Sequence, residues 1–444
     1  MNLSRLLHAR AEAGRPVRVG LIGAGKFGTM FLAQVRHTPG MHLVGVADLS
    51  RERALAALAR AGWVPERVGA GSLDEAYARG TTCVVEDALA LIAADGVEVV
   101  VEATGAPDAG VRHALACFRF GKHAVLVNVE ADALAGPLLA RRAREAGLVY
   151  SLAYGDQPAL ICELVDWARA CGFEVVCAGK GTKYLPSYHQ STPETVWEHF
   201  GFTTEEMARG DLNAKMFNSF VDGTKSAIEM AAVANATGLL PPREGLKFPP
   251  AGADALAEVL RPRSVGGVLE QSGSVEVVSS LERDGSQVAR DLRWGVYVVF
   301  RAGGEYVADC FRQYGMVTDA TGAYTALYRP YHLIGLEVGI SVASAALRQE
   351  PTGAPMGFVA DVVATAKRDL TPGEVLDGEG GYLVYGKLIP AGDSLGAHAL
   401  PIGLAQGVGV SRPIAAGQVL TWADVEAGEE RDAARVRREM EALF

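Results

Sequence analysis

The sequence predicts an α/β protein in three parts: a doubly wound parallel sheet, an α+β segment, and a small β-rich tail. Three observations carry the prediction. Over the first 155 residues, continuous β-branched runs alternate with helical periodicity, as parallel strands covered on both faces require. The alternation then gives way to mixed elements. From about residue 362, short strands alternate with Gly and Pro turns. The 444 residues also exceed one module at roughly 100–200 residues per domain.

The elements follow in order. Val17 to Ile22 is an apolar strand, and Lys26 to Arg36 has a helical period. Leu43 to Ala47 is the second strand, followed by a helix over Arg51 to Arg60. Thr82 to Val85 and Val97 to Ala103 are strands, with a helix near Ala88 to Ala93. Ala124 to Val127 and Val149 to Leu152 complete the sheet. Ile161 to Cys171 then reads as helix, Glu174 to Cys177 as strand, and residues 181 to 223 as irregular. Lys225 to Thr237 is an Ala-rich helix stopped by Gly238, since Gly tolerates the left-handed conformation of a helix end. Val275 to Leu281 and Gly295 to Phe300 are strands, the first alternating as if one face were solvated. His332 to Leu347 is an apolar helix, and Pro351 to Pro355 a linker. In the tail, "DLTPGEVLDGEG" from Asp369 and "RPIAAGQVLTWADV" from Arg412 form a weak internal repeat.

Composition bounds the function. Hydrophobic residues are 49% and charged residues 21%, ordinary for a globular chain. The net charge of −10 argues against nucleic acid as a partner, because such binders carry a basic excess. Arg141-Arg142 and Arg435 to Arg438 read as solvated helix faces. The six cysteines include no CxxC pair, so buried reduced thiols are expected, as in the cytosol. Met1 to Pro16 has no apolar signal region. No apolar run reaches the roughly 18 residues of a membrane span; the longest, Leu333 to Leu347, contains Glu337. A cytoplasmic protein with no membrane partner is expected.

The first specific motif is Gly23-Ala24-Gly25-Lys26-Phe27-Gly28, a G-x-G-x-x-G between a strand and a helix. That context marks a dinucleotide-binding Rossmann domain: the glycines permit a tight turn, close pyrophosphate approach and helix packing. Asp48 ends the next strand 20 residues after Gly28, where an acid can bind a ribose hydroxyl. Arg51 could instead meet a 2′-phosphate, leaving NAD and NADP both open. Thr104 and Gly105 end the fourth strand, and Asn128 and Glu130 follow the fifth, at the sheet end where ligands sit. Asn128 could serve the turn or the nicotinamide. Glu130 and Asp132 could simply occupy a first helical turn, where acids are favoured.

Nicotinamide chemistry needs a proton donor or acceptor and a positioned substrate. Lys180, Lys183, Tyr184 and His189 lie in one polar stretch, and Arg329 and His332 precede the later apolar helix; all six are candidate substrate-binding residues. Lys225 starts the Ala-rich helix, where a cation opposes the helix dipole. With Asp222 it forms the candidate catalytic pair. No residue spacing marks a strong metal site, a nucleophile elbow or a P-loop.

The series "GLIGAGKFG", "VVVEATG", "VLVNVEAD", "YGDQPALICELV", "GKGTKY" and "DGTKSAIEMA" resembles the homoserine dehydrogenase superfamily. Val129, Asp156-Gln157 and Lys183 depart from its pattern, and Asp222 stands three residues before Lys225 rather than four. "GTKY", "STPETVW", "DGTKSAIEMAAVANATGL" and "YRPYHLIGLE" resemble more closely the 1-deoxy-D-xylulose 5-phosphate reductoisomerase-like branch. This resemblance spans roughly residues 15 to 430. It implies NADPH-dependent reduction coupled to skeletal rearrangement, in isoprenoid biosynthesis, with Mg2+ or Mn2+ as a possible assistant. "RPIAAGQVLTWADV" resembles the SAF domain. The resemblance implies a Rossmann domain over 1–155 with 332–350 returning to it, a catalytic and dimerisation domain over 156–331, and a SAF-like domain over 356–430. The expected protein is a homo-oligomeric NAD(P)-dependent oxidoreductase acting on a small polar hydroxy-carbonyl compound, plain or phosphorylated. Homoserine dehydrogenase and a non-catalytic cofactor sensor are the alternatives.

Overall fold

The computed structural model describes residues 2–201, 213–426 and 431–444. The irregular stretch expected over 181 to 223 therefore falls partly outside the described residues, as does the end of the tail at 427–430. The chain forms two compact units.

The first unit comprises Met1–Leu160, His332–Met356 and Val436–Met440. Its sheet contains β1 (Val17–Ile22), β2 (Met41–Ala47), β3 (Cys83–Val85), β4 (Val99–Glu102), β5 (His123–Leu126) and β6 (Tyr150–Leu152). The strand order is β3-β2-β1-β4-β5-β6, parallel throughout. Order reverses beside β1, so the crevice at its carboxyl end is the switch point where ligands bind such sheets. The strand cores are buried because helices cover both faces: Val19, Leu21, Val99 and Val101 have no exposed surface. The helix Gly339–Arg348 packs on this sheet, although the sequence pattern starts it at His332. Gly335 breaks the earlier part with φ +82°, and a Cβ there would sit 2.6 Å from the Phe27 carbonyl.

The second unit comprises Ile161–Tyr331, Gly357–Arg435 and Glu441–Phe444. Its main sheet contains β7 (Glu174–Thr182), β8 (Ser274–Ser279), β9 (Val296–Arg301) and β10 (Tyr324–Arg329), in the order β10-β9-β7-β8. Strand β7 runs five residues past its expected end at Cys177. Gly179 and Gly181 look like loop residues in sequence, but they serve close backbone approach. A Cβ at Gly179 would lie 1.7 Å from the Glu276 carbonyl, and one at Gly181 1.9 Å from that of Leu292. All of β8 is buried, which corrects the expectation of a solvated face. The loop around Lys247 and Phe248 covers that face, and both amides donate to the Glu276 carboxylate.

The tail belongs to this second unit. It adds the pair β11 (Ala360–Ala366) and β13 (Val384–Pro390), and the three strands β12 (Val375–Asp377), β14 (Gln406–Val410) and β15 (Val425–Glu426). The two repeat segments face each other: the Leu370 and Ile414 amides each donate to the other's carbonyl. Strands β11 and β13 pack on the helix Thr224–Thr237.

Candidate active site

In the first unit, the glycine loop joins β1 to the helix Lys26–Val35. Gly23 has φ +94°, and its Cβ would lie 2.7 Å from the Ala103 carbonyl. A Cβ on Gly28 would lie 2.1 Å from the Gly23 carbonyl. At Gly25 a Cβ would meet nothing within 4 Å, so space is open where a pyrophosphate must approach. Gly25 also caps the helix without a side-chain hydrogen bond, leaving its first amides for an anion. Ala24 is buried and Lys26 exposed. The loop therefore fits a dinucleotide.

Asp48 binds the loop itself: its carboxylate accepts from the amides of Ala24 at 2.8 Å and Ser50 at 3.0 Å. Burial pushes the Asp48 carboxyl up, but those amides and Arg53 outweigh it and hold it below the usual range. Arg51 donates to the Val84 carbonyl. It is Arg53, not singled out by the sequence pattern, that pairs with Asp48 at 2.5 Å while its side chain stays 59% exposed. Asn128 caps the helix Val129–Glu145 through the Ala131 amide, and its Nδ2 donates to the Ala106 carbonyl at 2.9 Å. Its side chain thus fixes the turn after β4. Thr104 donates to the buried Glu102 carboxylate at 2.5 Å, while Gly105, at φ +68°, borders open space. Glu130 is half-buried in the first turn of that helix. A cleft of about 1020 Å³ in this unit lies at the amino ends of the strands, beside Arg18, His42 and Glu98. That is the end opposite the glycine loop.

In the second unit, the polar candidates separate into two groups. Lys180 is turned inward, its ammonium paired with buried Glu229. Lys183 donates to the His199 carbonyl; burial and the Arg293 charge lower its pKa. Arg329 ends β10 with its guanidinium over the Tyr331 ring. His332 begins the return segment of the first unit.

Tyr184, His189 and Asp222 form the other group, with Lys225 three residues after Asp222 in the adjoining helix. His189 Nδ1 lies 2.7 Å from the Asp222 backbone carbonyl. A carbonyl only accepts, so Nδ1 carries a proton. Desolvation lowers the His189 pKa, outweighing Asp222, which favours the neutral ring. Nε2 is then an acceptor, and the Tyr184 hydroxyl donates to it across 3.0 Å. Burial pushes that hydroxyl up to about 12. The Tyr184 ring stacks on Phe248 at 3.9 Å. Phe248 has φ +50°, a costly conformation for such a residue. Its amide is anchored by Glu276, whose buried carboxyl is pushed up to about 7 by desolvation. Gly223, at φ +90°, closes the group: a Cβ there would lie 3.1 Å from His189 Cε1.

Asp222 is fully buried. Its carboxylate accepts from the Thr224 amide at 2.9 Å and from Lys367 of the tail at 2.8 Å. The Lys367 ammonium also donates to the carbonyls of Ser191 and Gly381, each at 2.7 Å. The helix Thr224–Thr237 is buried at every position but one, Lys225. Phe248 and Lys367 escaped the sequence reading because one sits in a Pro-rich loop and the other far along the chain. No local motif marks either. Among the described residues no cluster of three His, Cys, Asp or Glu could hold a metal ion.

Comparison with known families supplies the context. Residues 17–128 match the oxidoreductase family with an NAD-binding Rossmann fold. Residues 155–338 match the catalytic domain of oxidoreductase DRL, and residues 361–426 the SAF domain. No curated protein matches significantly. Similar solved structures include a protein described as an NADPH-dependent oxidoreductase from Desulfitobacterium hafniense DCB-2. It is 12% identical, with 76% of this chain and 89% of that one covered and a TM-score of 0.39. Dihydrodipicolinate reductase from Paenisporosarcina sp. TG-14 is 13% identical, covering 76% and 97%, with a TM-score of 0.35. An NAD-binding oxidoreductase from Klebsiella pneumoniae is 17% identical, covering 72% and 67%, with a TM-score of 0.32.

Proposed function

We propose that this chain, an NAD(P)-dependent oxidoreductase with a Rossmann domain, a DRL-type catalytic domain and a SAF domain, interconverts a small polar hydroxy compound and its carbonyl. The observation that carries the reading is the helix Thr224–Thr237. It is buried all round and leaves a single side chain, Lys225, partly open. A cation held at the positive end of a helix is electrostatically disfavoured, which suits a group that gives up a proton. Lys225 protonates the substrate oxygen during reduction and takes the proton back during oxidation. When bound, the nicotinamide supplies or accepts the hydride.

The Tyr184–His189 pair lies next to Gly223, two residues from Lys225. Its hydroxyl, whose proton is directed at His189 Nε2, can accept a hydrogen bond from a substrate hydroxyl and so position it. Lys183 contributes positive charge nearby in sequence. Asp222, neutralised by Lys367, acts on Lys225 by fixing the helix start. On the cofactor side, Gly23 to Gly28 hold the pyrophosphate and Asp48 with Arg53 meet the ribose. The resemblance to the reductoisomerase-like branch favours a phosphorylated hydroxy-ketone as substrate and NADPH as reductant.

The test is a nicotinamide-absorbance assay with both cofactors. The panel holds phosphorylated sugars, sugar acids, homoserine and aspartate semialdehyde, with and without Mg2+. Cofactor consumption by a phosphorylated hydroxy-carbonyl compound is expected. Turnover confined to homoserine would replace this reading with the dehydrogenase alternative, and inertness toward the whole panel would defeat both.

A further inference from the structure

We infer that the SAF domain supplies part of the substrate site, with Tyr385 and Lys387 of β13 forming a subsite for an oxyanion beside His189. This inference rests on placing the substrate at Tyr184, His189 and Lys225.

Strand geometry comes first. Residues two apart in a strand share a face, and in β13 Tyr385 and Lys387 are half-exposed while Val384, Gly386 and Leu388 are buried. The shared face meets the site. The Tyr385 ring lies 4.6 Å from the His189 ring at 30°. The Lys387 stem runs along the loop at Gly245, where a Cβ would lie 3.2 Å from its Cε. Its charge also helps lower the His189 pKa, after desolvation.

The residue between them explains the closeness. A Cβ on Gly386 would lie 2.9 Å from Thr224 Cγ2 and 2.8 Å from Val362 Cγ1. With no side chain there, β13 lies against the start of the helix, and the Gly386 amide donates to the Thr224 hydroxyl at 2.8 Å. Strand β13 is thereby held against Thr224, the sequence neighbour of Lys225, with Tyr385 on the His189 ring and Lys387 beside Gly245.

Neither polar head is used up within the fold. Among the described residues the Tyr385 hydroxyl and the Lys387 ammonium make no hydrogen bond, whereas Lys367 makes three. Nearby negative charge is already balanced: Asp222 is paired with Lys367, and Glu244 with Lys247. The result, beside a neutral imidazole, is a hydroxyl and a cation that hold no ion pair among the described residues: Glu244 lies within electrostatic reach of Lys387 but is bonded to Lys247. That chemistry suits a phosphate or carboxylate carried by the substrate.

The experiment uses the full chain with 13C-labelled histidine and follows its ring resonances by NMR while inorganic phosphate or succinate is titrated. His189 is assigned by loss of its peak in His189→Gln. Saturable shifts of the His189 resonance are expected, with the anion of higher affinity identifying the group carried by the substrate. Lys387→Met should weaken that affinity at least 10-fold and Tyr385→Phe about 3-fold, with NADPH affinity unchanged. Thermal unfolding of both variants within 2 °C of wild type would show that the fold is intact. Anion binding that leaves His189 unmoved, or that survives Lys387→Met undiminished, would overturn the proposal, as would no binding of either anion. The readout needs no turnover, so a failed redox assay and a failed subsite remain distinguishable.

Discussion

Replacing Lys367 by Met should strongly destabilise the second unit, because the SAF domain is joined to the catalytic domain through that ammonium. Lys367 is 3% exposed at its side chain and Asp222 0%. Met keeps the volume and removes the charge, leaving a buried carboxylate uncompensated. Breaking one partner of a buried pair costs roughly 3–5 kcal/mol. The Ser191 and Gly381 carbonyls also lose a donor, at about 1–3 kcal/mol each if nothing replaces it. These terms overlap, so about 4–6 kcal/mol is a fair total. For a unit of this size that is a fall in Tm of roughly 10–20 °C. Differential scanning calorimetry reads it directly. The double variant Asp222→Asn with Lys367→Met should recover a good part of the loss, because no bare carboxylate remains. A single variant that loses less than about 1 kcal/mol, or a double variant as unstable as the sum, would refute the reasoning.

Gly25→Val should leave Tm nearly unchanged, since its Cβ meets nothing within 4 Å, yet weaken NADPH binding at least 10-fold in a fluorescence titration; equal affinity would place the pyrophosphate elsewhere. Arg53→Ala should lower affinity for NADPH more than for NADH, by roughly 10-fold, as expected for one charge-assisted hydrogen bond; an unchanged ratio would remove Arg53 from the ribose site. Asp132 is wholly buried beside Tyr150, and desolvation pushes its carboxyl up to about 7. A folded-state pKa above the unfolded one means stability is fully present below about pH 4 and is lost as pH rises through 7. Asp132→Asn should therefore flatten the stability–pH curve in that window, where this group contributes a slope of up to roughly 1.4 kcal/mol per pH unit; denaturant melts at several pH values decide it.

The parts of the fold governed by short-range rules were legible in the sequence. Apolar strand runs and the glycine motif predicted the parallel sheet and its cofactor loop, and Gly238 does end the Ala-rich helix, in a left-handed conformation. The extent of β7 was not legible, because Gly179 and Gly181 look like turn residues until the neighbouring backbones are in place. Residues chosen for charge fared according to their partners. Lys180 looked like an anion binder, but its partner Glu229 stands 49 residues away. The pairing of Asp222 with Lys367 spans 145 residues, beyond any local pattern. Arg53 rather than Arg51 meets Asp48 because helix geometry turns Arg51 toward the Val84 carbonyl. Tyr385 and Lys387 became visible only through the close approach that Gly386 permits.

The most direct test of the central claim is the turnover of Lys225→Ala on the panel member that wild type consumes best. A proton-transfer role predicts a kcat lower by roughly 100-fold or more, with NADPH affinity and Tm unchanged and partial recovery as pH falls toward a range where solvent can supply the proton. Full turnover by Lys225→Ala would contradict the account.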